Sequence, residues 1–334
     1  MKATKAVTKF ALVIAVCGQA FGAEQPRRVK LATLVPRGSS IHQILQAMGE
    51  KWRQAPGAGA ALTIYTDGTM GGEAEAVRRM RIDQVQAGLL SVAGLAQIDR
   101  SVTAMQYMPM VFRSLDEVDY VRESLRPMLD KRLEEKGFVA LFWGDAGWVR
   151  FFSTKPVTRP GEVKKLKMFA LSSDIGQIDL MKSVGFQPVP LEYTDTLTGL
   201  QTGLIEAVPT IPFYALAGQL YLPGAYMLEI NYVPLVGGLV VTRKVWDTLP
   251  AITRESMRQA AGEAGKKIRD QSRKEMEESV AAMKKRGLKV SAITPVVEAE
   301  WRALFEGVYP KLRGNLVPAD MFDEVQRLLR EYRK

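Results

Sequence analysis

Apolar residues alternate between two periods along the chain, one of short strands and one of amphipathic helices. Residues 29–35 form a short apolar run, and residues 36–40 supply a turn with a serine cap. Beyond it, Ile41, Ile44, Leu45, Met48 and Trp52 recur at spacings of three, four and seven, the stripe of a helix packed on a sheet. Strands are expected at 62–65 and 85–90, with a glycine-rich turn at 67–72 and a helix through Val77 and Met80 between them. Residues 115–133 read as an amphipathic helix closed by Gly137, and 138–143 as an apolar strand. This strand-then-helix alternation predicts an α/β architecture with mostly parallel sheets.

A second series follows the turn at Gly147. Residues 148–153 read as a strand able to cross between lobes, and 156–161 as a turn. A strand is expected at 166–170, helices at 175–184 and 194–201, and a strand at 204–208. The apolar strand 235–242 is expected to return to the first lobe, and Pro250 opens a long helix to about residue 286. Residues 295–333 are helical again, with Trp301, Phe305, Met321 and Val325 among the packing positions.

The length of 334 residues suits two lobes better than one core. Lobe I is expected over 24–146 and about 236–278, lobe II over 147–235 and about 279–334. At the N-terminus, Lys2, Lys5 and Lys9 precede an apolar run over 10–16 and small residues to Ala23. That is the plan of a secretory signal peptide over 1–23, cleaved after Ala20 or Ala23, and it predicts a periplasmic protein. Cys17, the single cysteine, excludes a disulfide within one mature chain, and its acylation is a second reading.

Chemistry is sparse. His42 is the only histidine and lies on the first helix, so a histidine triad would rest on it alone, and a Cys/His metal cluster is excluded. Residues 68–72 (GTMGG) lack a phosphate-binding lysine, and Glu73 and Glu75 read as first-turn residues complementing the helix dipole. The net charge of +10 is spread along the chain without a nucleic-acid module. No enzyme activity, cofactor, metal or nucleic acid is expected. Capture of a small ligand between closing lobes is.

Several segments carry a resemblance. Residues 161–169 (GEVKKLKMF), 184–190 (VGFQPVP), 197–206 (LTGLQTGLIE), 70–73 (MGGE), 108–112 (MPMVF) and 246–250 (WDTLP) resemble the solute-binding proteins of TRAP (tripartite ATP-independent periplasmic) transporters, DctP-like proteins. The resemblance spans nearly the whole mature chain. It implies a two-lobed Venus-flytrap fold with hinge strands and a long lobe-spanning helix, delivering its ligand to a membrane permease driven by an ion gradient. In most of that family an arginine of the Leu-Lys-x-Arg motif grips a carboxylate, whereas Phe169 stands there in this chain. This points to a lineage lacking the carboxylate-binding arginine, some of whose members are associated with tetratricopeptide-repeat partners.

The same alignment of motifs nominates Ser91, Met70, Ser172, Tyr193 and Thr210 as cleft positions, with Trp148, Phe213 and Tyr214 as aromatic neighbours. A cleft lined by these residues and Phe169 suits an apolar or neutral ligand. Two alternatives stay open: an organic-acid receptor using another cation such as Arg150, and an envelope interaction protein without a ligand. Arg150 falls one position later than the family's accessory arginine, a slip that on a strand reverses the face.

Overall fold

The computed structural model describes residues 26–334. The expected signal segment and Cys17 lie outside them. Two sheets organise the described chain. The first contains β1 (Arg27–Thr33), β2 (Ala60–Tyr65), β3 (Ala87–Ser91), β4 (Phe138–Trp148) and β10 (Pro234–Thr242), in the order β2-β1-β3-β10-β4. The second contains β5 (Arg150–Ser153), β6 (Lys167–Leu171), β7 (Gln187–Leu191), β8 (Ala207–Thr210), β9 (Tyr226–Glu229) and β11 (Lys289–Ala292), in the order β11-β9-β5-β8-β6-β7.

Both sheets are mixed, which departs from the mostly parallel expectation. β1 runs parallel to β2 and β3, and β6 parallel to β7 and β8. β10 is antiparallel to β3 and β4, and β5 is antiparallel to β8 and β9. The antiparallel members are those next to the crossovers: a chain that passes from one sheet to the other and comes back must enter each sheet against its neighbours. Only Val149 separates β4 from β5, and its amide donates to the Val233 carbonyl at 2.9 Å, joining the outgoing and returning crossovers.

The helix Ser40–Arg53 is capped by Ser39, whose hydroxyl accepts from the His42 amide at 3.3 Å. His42 Nδ1 accepts from the Gly38 amide at 2.9 Å, so the single histidine stabilises the turn before its own helix. Ile41, Leu45, Met48 and Trp52 are buried there, and the Trp52 indole donates to the Met257 carbonyl at 3.1 Å. Met257 belongs to the long helix Ala251–Lys284, whose 34 residues span about 50 Å at 1.5 Å per residue. Its first half buries Met257, Ala261, Ala264 and Ile268 in the core of the first sheet, and Met283 near its end joins Phe152 and Leu288 in the core of the second. One rigid helix thus belongs to both lobes.

Two features differ from the sequence reading. The segment 187–191 forms a strand despite Pro188 and Pro190. β7 sits at the sheet edge, and residues two apart point their missing amides the same way, so both can face away from β6. The last helix, Ala319–Tyr332, expected with lobe II, packs on the lobe I helix Leu115–Glu135. Its stripe of Met321, Val325, Leu328 and Leu329 shares a core with Val118, Val121 and Leu125, and Arg333 pairs with Glu117 at 2.7 Å. An apolar stripe of that width must be covered, and the first lobe supplies the matching face.

Candidate ligand-binding site

A cavity of about 210 Å³ lies between the two sheets, beside both crossovers. It is lined from the first lobe by Thr33, Glu73, Ser91 and Gln106, and from the second by Phe169, Asp174, Tyr193 and Thr210. Tyr214, Tyr232 and Phe142 add aromatic surface. Among the described residues lining it, none is lysine or arginine.

Five of the nine nominated positions are brought together here: Ser91, Phe169, Tyr193, Thr210 and Tyr214. The other four do not line the cavity. Trp148, at the end of β4, pairs with Pro234 and is buried in the core. Phe213 turns to pack on Tyr214, with ring centroids 5.5 Å apart, and Met70 packs against the core cluster that runs through both lobes. The Ser172 hydroxyl donates to Glu192. Motif position nominates these four, but side-chain direction is decided by what packs beneath each backbone.

The structure adds two acids: Glu73, which the sequence reading takes as a first-turn helix residue, and Asp174, which it does not single out. Glu73 opens the helix Glu73–Arg81 and reaches across to the N-terminus of the short helix Val92–Leu95. Its carboxylate accepts from the Ser91 amide at 2.7 Å, the Ser91 hydroxyl at 2.5 Å and the Gly94 amide at 3.0 Å. A Cβ on Gly94 would stand 2.8 Å from Glu73 Cβ, so glycine there is what allows the approach. Burial pushes the Glu73 carboxyl above the usual range, while the three donors pull it back part of the way.

Asp174 caps the helix Ile175–Ser183, accepting from the Gln177 amide at 3.0 Å. Its other oxygen accepts from the Tyr107 hydroxyl, a bond from the second lobe's helix cap to the segment that precedes the helix Leu115–Glu135. Burial raises the Asp174 carboxyl as well. The hydroxyl of Tyr193 is buried without a hydrogen bond of good geometry, although Thr210 is near enough to oppose the effect of burial, which pushes this phenol up to about 12. Phe169 meets Tyr193 edge-on at 6.2 Å, and Tyr193 leans on Tyr214 at 5.7 Å, so the aromatic wall is held as a unit.

Arg150 is not part of this wall. It pairs with Thr210 across β5 and β8, which puts the two side chains on one face of the sheet, but it lines a separate cavity with Arg113 and Arg302. Asp145, which does line the central cavity, is already engaged: Arg273 donates to it at 2.7 and 3.2 Å and Arg122 at 3.3 Å. No group of histidine, cysteine, aspartate and glutamate among the described residues has the arrangement of a metal site, and no described helix is long and apolar enough to cross a membrane.

Two lobes joined by paired crossovers, a shared long helix and a lined cavity between them define a hinged binding protein. Solved structures of TRAP periplasmic solute-binding proteins have this fold. One from Shewanella oneidensis with bound succinate has a TM-score of 0.83 at 19% identity, covering 91% of this chain and 99% of that one. Another from Sulfitobacter with bound β-D-galacturonate has a TM-score of 0.82 at 20% identity, covering 91% and 100%. The C4-dicarboxylate-binding periplasmic protein DctP of Rhodobacter capsulatus is 22% identical over 255 residues, 76% of each chain. The model of the bacterial extracellular solute-binding proteins, family 7 (DctP), matches residues 31–315, and the chain belongs to that family. It is therefore a periplasmic solute-binding protein of the TRAP type, a transport receptor and not an enzyme, which hands a small ligand to a membrane permease.

Proposed function

We propose that the solute is a small organic acid, held in the interlobe cavity by neutral donors. The observation that carries this reading is the buried, unsatisfied hydroxyl of Tyr193 in the cavity wall. A buried polar group without a partner is costly, and a ligand oxygen would satisfy it. Gln106 supports the same reading: its carbonyl oxygen accepts from the Val236 amide at 3.1 Å, which fixes the side chain and leaves its amide hydrogens for a ligand. The succinate and galacturonate held by the solved relatives give the carboxylate class further support.

The second reading, an apolar or neutral solute, is favoured by one feature, the absence of lysine and arginine from the lining residues described. The two readings differ in pH dependence. Burial holds the pKa values of Glu73 and Asp174 above the ordinary carboxylate range, so in the folded protein each takes up its proton at a higher pH than an exposed acid. A bound carboxylate repels their ionised forms and raises those values further, so binding is coupled to proton uptake. Affinity for an acid is then expected to increase as the pH falls through the raised values, until the ligand itself is protonated. A neutral solute that donates to these carboxylates would bind less tightly over the same interval.

Calorimetric titration of the mature protein with succinate, D-glucuronate and D-galacturonate, beside the matching neutral sugars, decides between them. Phe169→Arg supplies a guanidinium to the wall and is expected to tighten acid binding at least tenfold, about 1.4 kcal/mol. A neutral sugar bound by the wild type with no acid bound at any pH would replace the first reading by the second. A tetratricopeptide-repeat partner is not required by either.

A further inference from the structure

A second cavity, of about 570 Å³, lies apart from the one between the lobes. It opens beside the crossovers, where β5 begins and β9 ends, and is walled by Met110, Phe112, Ile230 and Ile293. Three arginines reach it from three parts of the chain: Arg113 just before the helix Leu115–Glu135, Arg150 at the start of β5, and Arg302 on the helix Pro295–Glu306. Two acids share the lining, Glu229 and Glu298.

The charges do not cancel. Glu298 is bound by Arg302 at 2.8 Å, and the other end of that guanidinium donates to the Met110 carbonyl at 2.8 Å, so Arg302 is fixed in place and neutralised. Arg150 is half-buried, and Glu229 is the charge that acts on it, from beyond ion-pair distance. Burial pulls its pKa down, the sign of a guanidinium whose lost hydration is incompletely replaced by the protein. Arg113, which is exposed, uses its amide on Glu117 at 2.6 Å and leaves its side chain at the rim. A partly desolvated cation in an apolar-walled cavity, with a second cation at the mouth, is the arrangement that takes an anion having an apolar part.

We infer that Arg150 and Arg113 form a second site, separate from the interlobe cavity, for a small carboxylate with an apolar tail. The planar fork of Arg150 accepts the carboxylate, Arg113 closes over it, and the tail lies against Phe112, Ile230 and Ile293. The inference does not depend on which solute the interlobe cavity takes.

Hexanoate is a suitable probe, with hexanamide as the uncharged control. Titration of the mature chain is expected to show saturable hexanoate binding and none with hexanamide. Arg150→Gln should weaken it at least tenfold, and Arg113→Gln by a smaller factor. Arg150→Lys, which keeps the charge without the fork, should restore part of the loss and also guards against a folding defect in the glutamine variant. Ala93 lines the interlobe cavity and not the second one, so Ala93→Phe should leave hexanoate binding intact while removing uronate or succinate binding. Hexanoate binding lost in Ala93→Phe and kept in Arg150→Gln would overturn the second site and leave the interlobe reading standing, and so would the lack of any saturable binding. Loss of succinate and uronate binding in the wild type, with hexanoate still bound through Arg150, would overturn the interlobe organic-acid reading alone.

Discussion

Replacing Asp145 by alanine is expected to lower the free energy of unfolding by about 3–5 kcal/mol, the usual cost of removing one partner from a buried ionic cluster. Its side chain is fully buried, as is nearly all of Arg122, and the carboxylate accepts from both Arg122 and Arg273. Those two arginines come from different helices, Leu115–Glu135 and Ala251–Lys284, and both also reach Asp119 at 2.8 Å. Asp145 is thus the point at which β4 is tied to the helices on either side of it. Its Oδ1 also accepts from the Gly147 amide at 3.2 Å, where the backbone takes a left-handed turn at φ +84° just before the crossover.

The loss is expected to appear in two measurements. Urea unfolding should show a lower midpoint, and ligand affinity should fall because the crossover next to the cavity is no longer fixed. Asp145→Asn keeps an oxygen for Gly147 but not the charge, and should recover a minor part of the stability. An alanine variant within about 1 kcal/mol of wild type would mean that Asp119 alone satisfies both arginines, and that the cluster does not tie the strand to the helices.

The second large effect is expected at Gly265, in the middle of the long helix. A Cβ there would lie 2.5 Å from Phe142 Cγ and 2.8 Å from Phe142 Cβ, far inside van der Waals contact and close to the strand backbone. Helix propensity alone would make Gly265→Ala stabilising by about 1 kcal/mol. Overpacking costs about 1–3 kcal/mol in a close-packed core, so the net change is expected to be destabilising, and Gly265→Leu more so. Phe142 lines the interlobe cavity, and displacing it would narrow the site. Thermal unfolding of the alanine variant gives a clear sign test. A higher midpoint than wild type would show that β4 and the helix separate freely at this point.

Much of the architecture was written in local periodicity. The stripe from Ile41 to Trp52, the apolar run of β10 and the long helix after Pro250 each announce themselves over a dozen residues or fewer, because burial against a sheet or a neighbouring helix imposes a fixed spacing. The crossing at residues 148–153 is also visible as an apolar strand following a glycine turn. Where reading failed, the competing signal was also local. Pro188 and Pro190 argue against a strand unless it lies at an edge, and edge position is set by which strand pairs with which.

The sequence by itself determined the two-lobed class and the compartment, since these rest on patterns a few residues long. Only the tertiary structure decided which side chains face the cavity. Glu73 reads as an ordinary first-turn acid in sequence, and it and the helix cap Asp174 become buried acids of the cavity wall because helices from two lobes converge there. Trp148 and Phe213 are drawn into packing instead, and Arg150 lines a different cavity from its strand partner Thr210. A side chain's direction depends on the density of what surrounds it, and that is fixed by contacts between residues far apart in the chain.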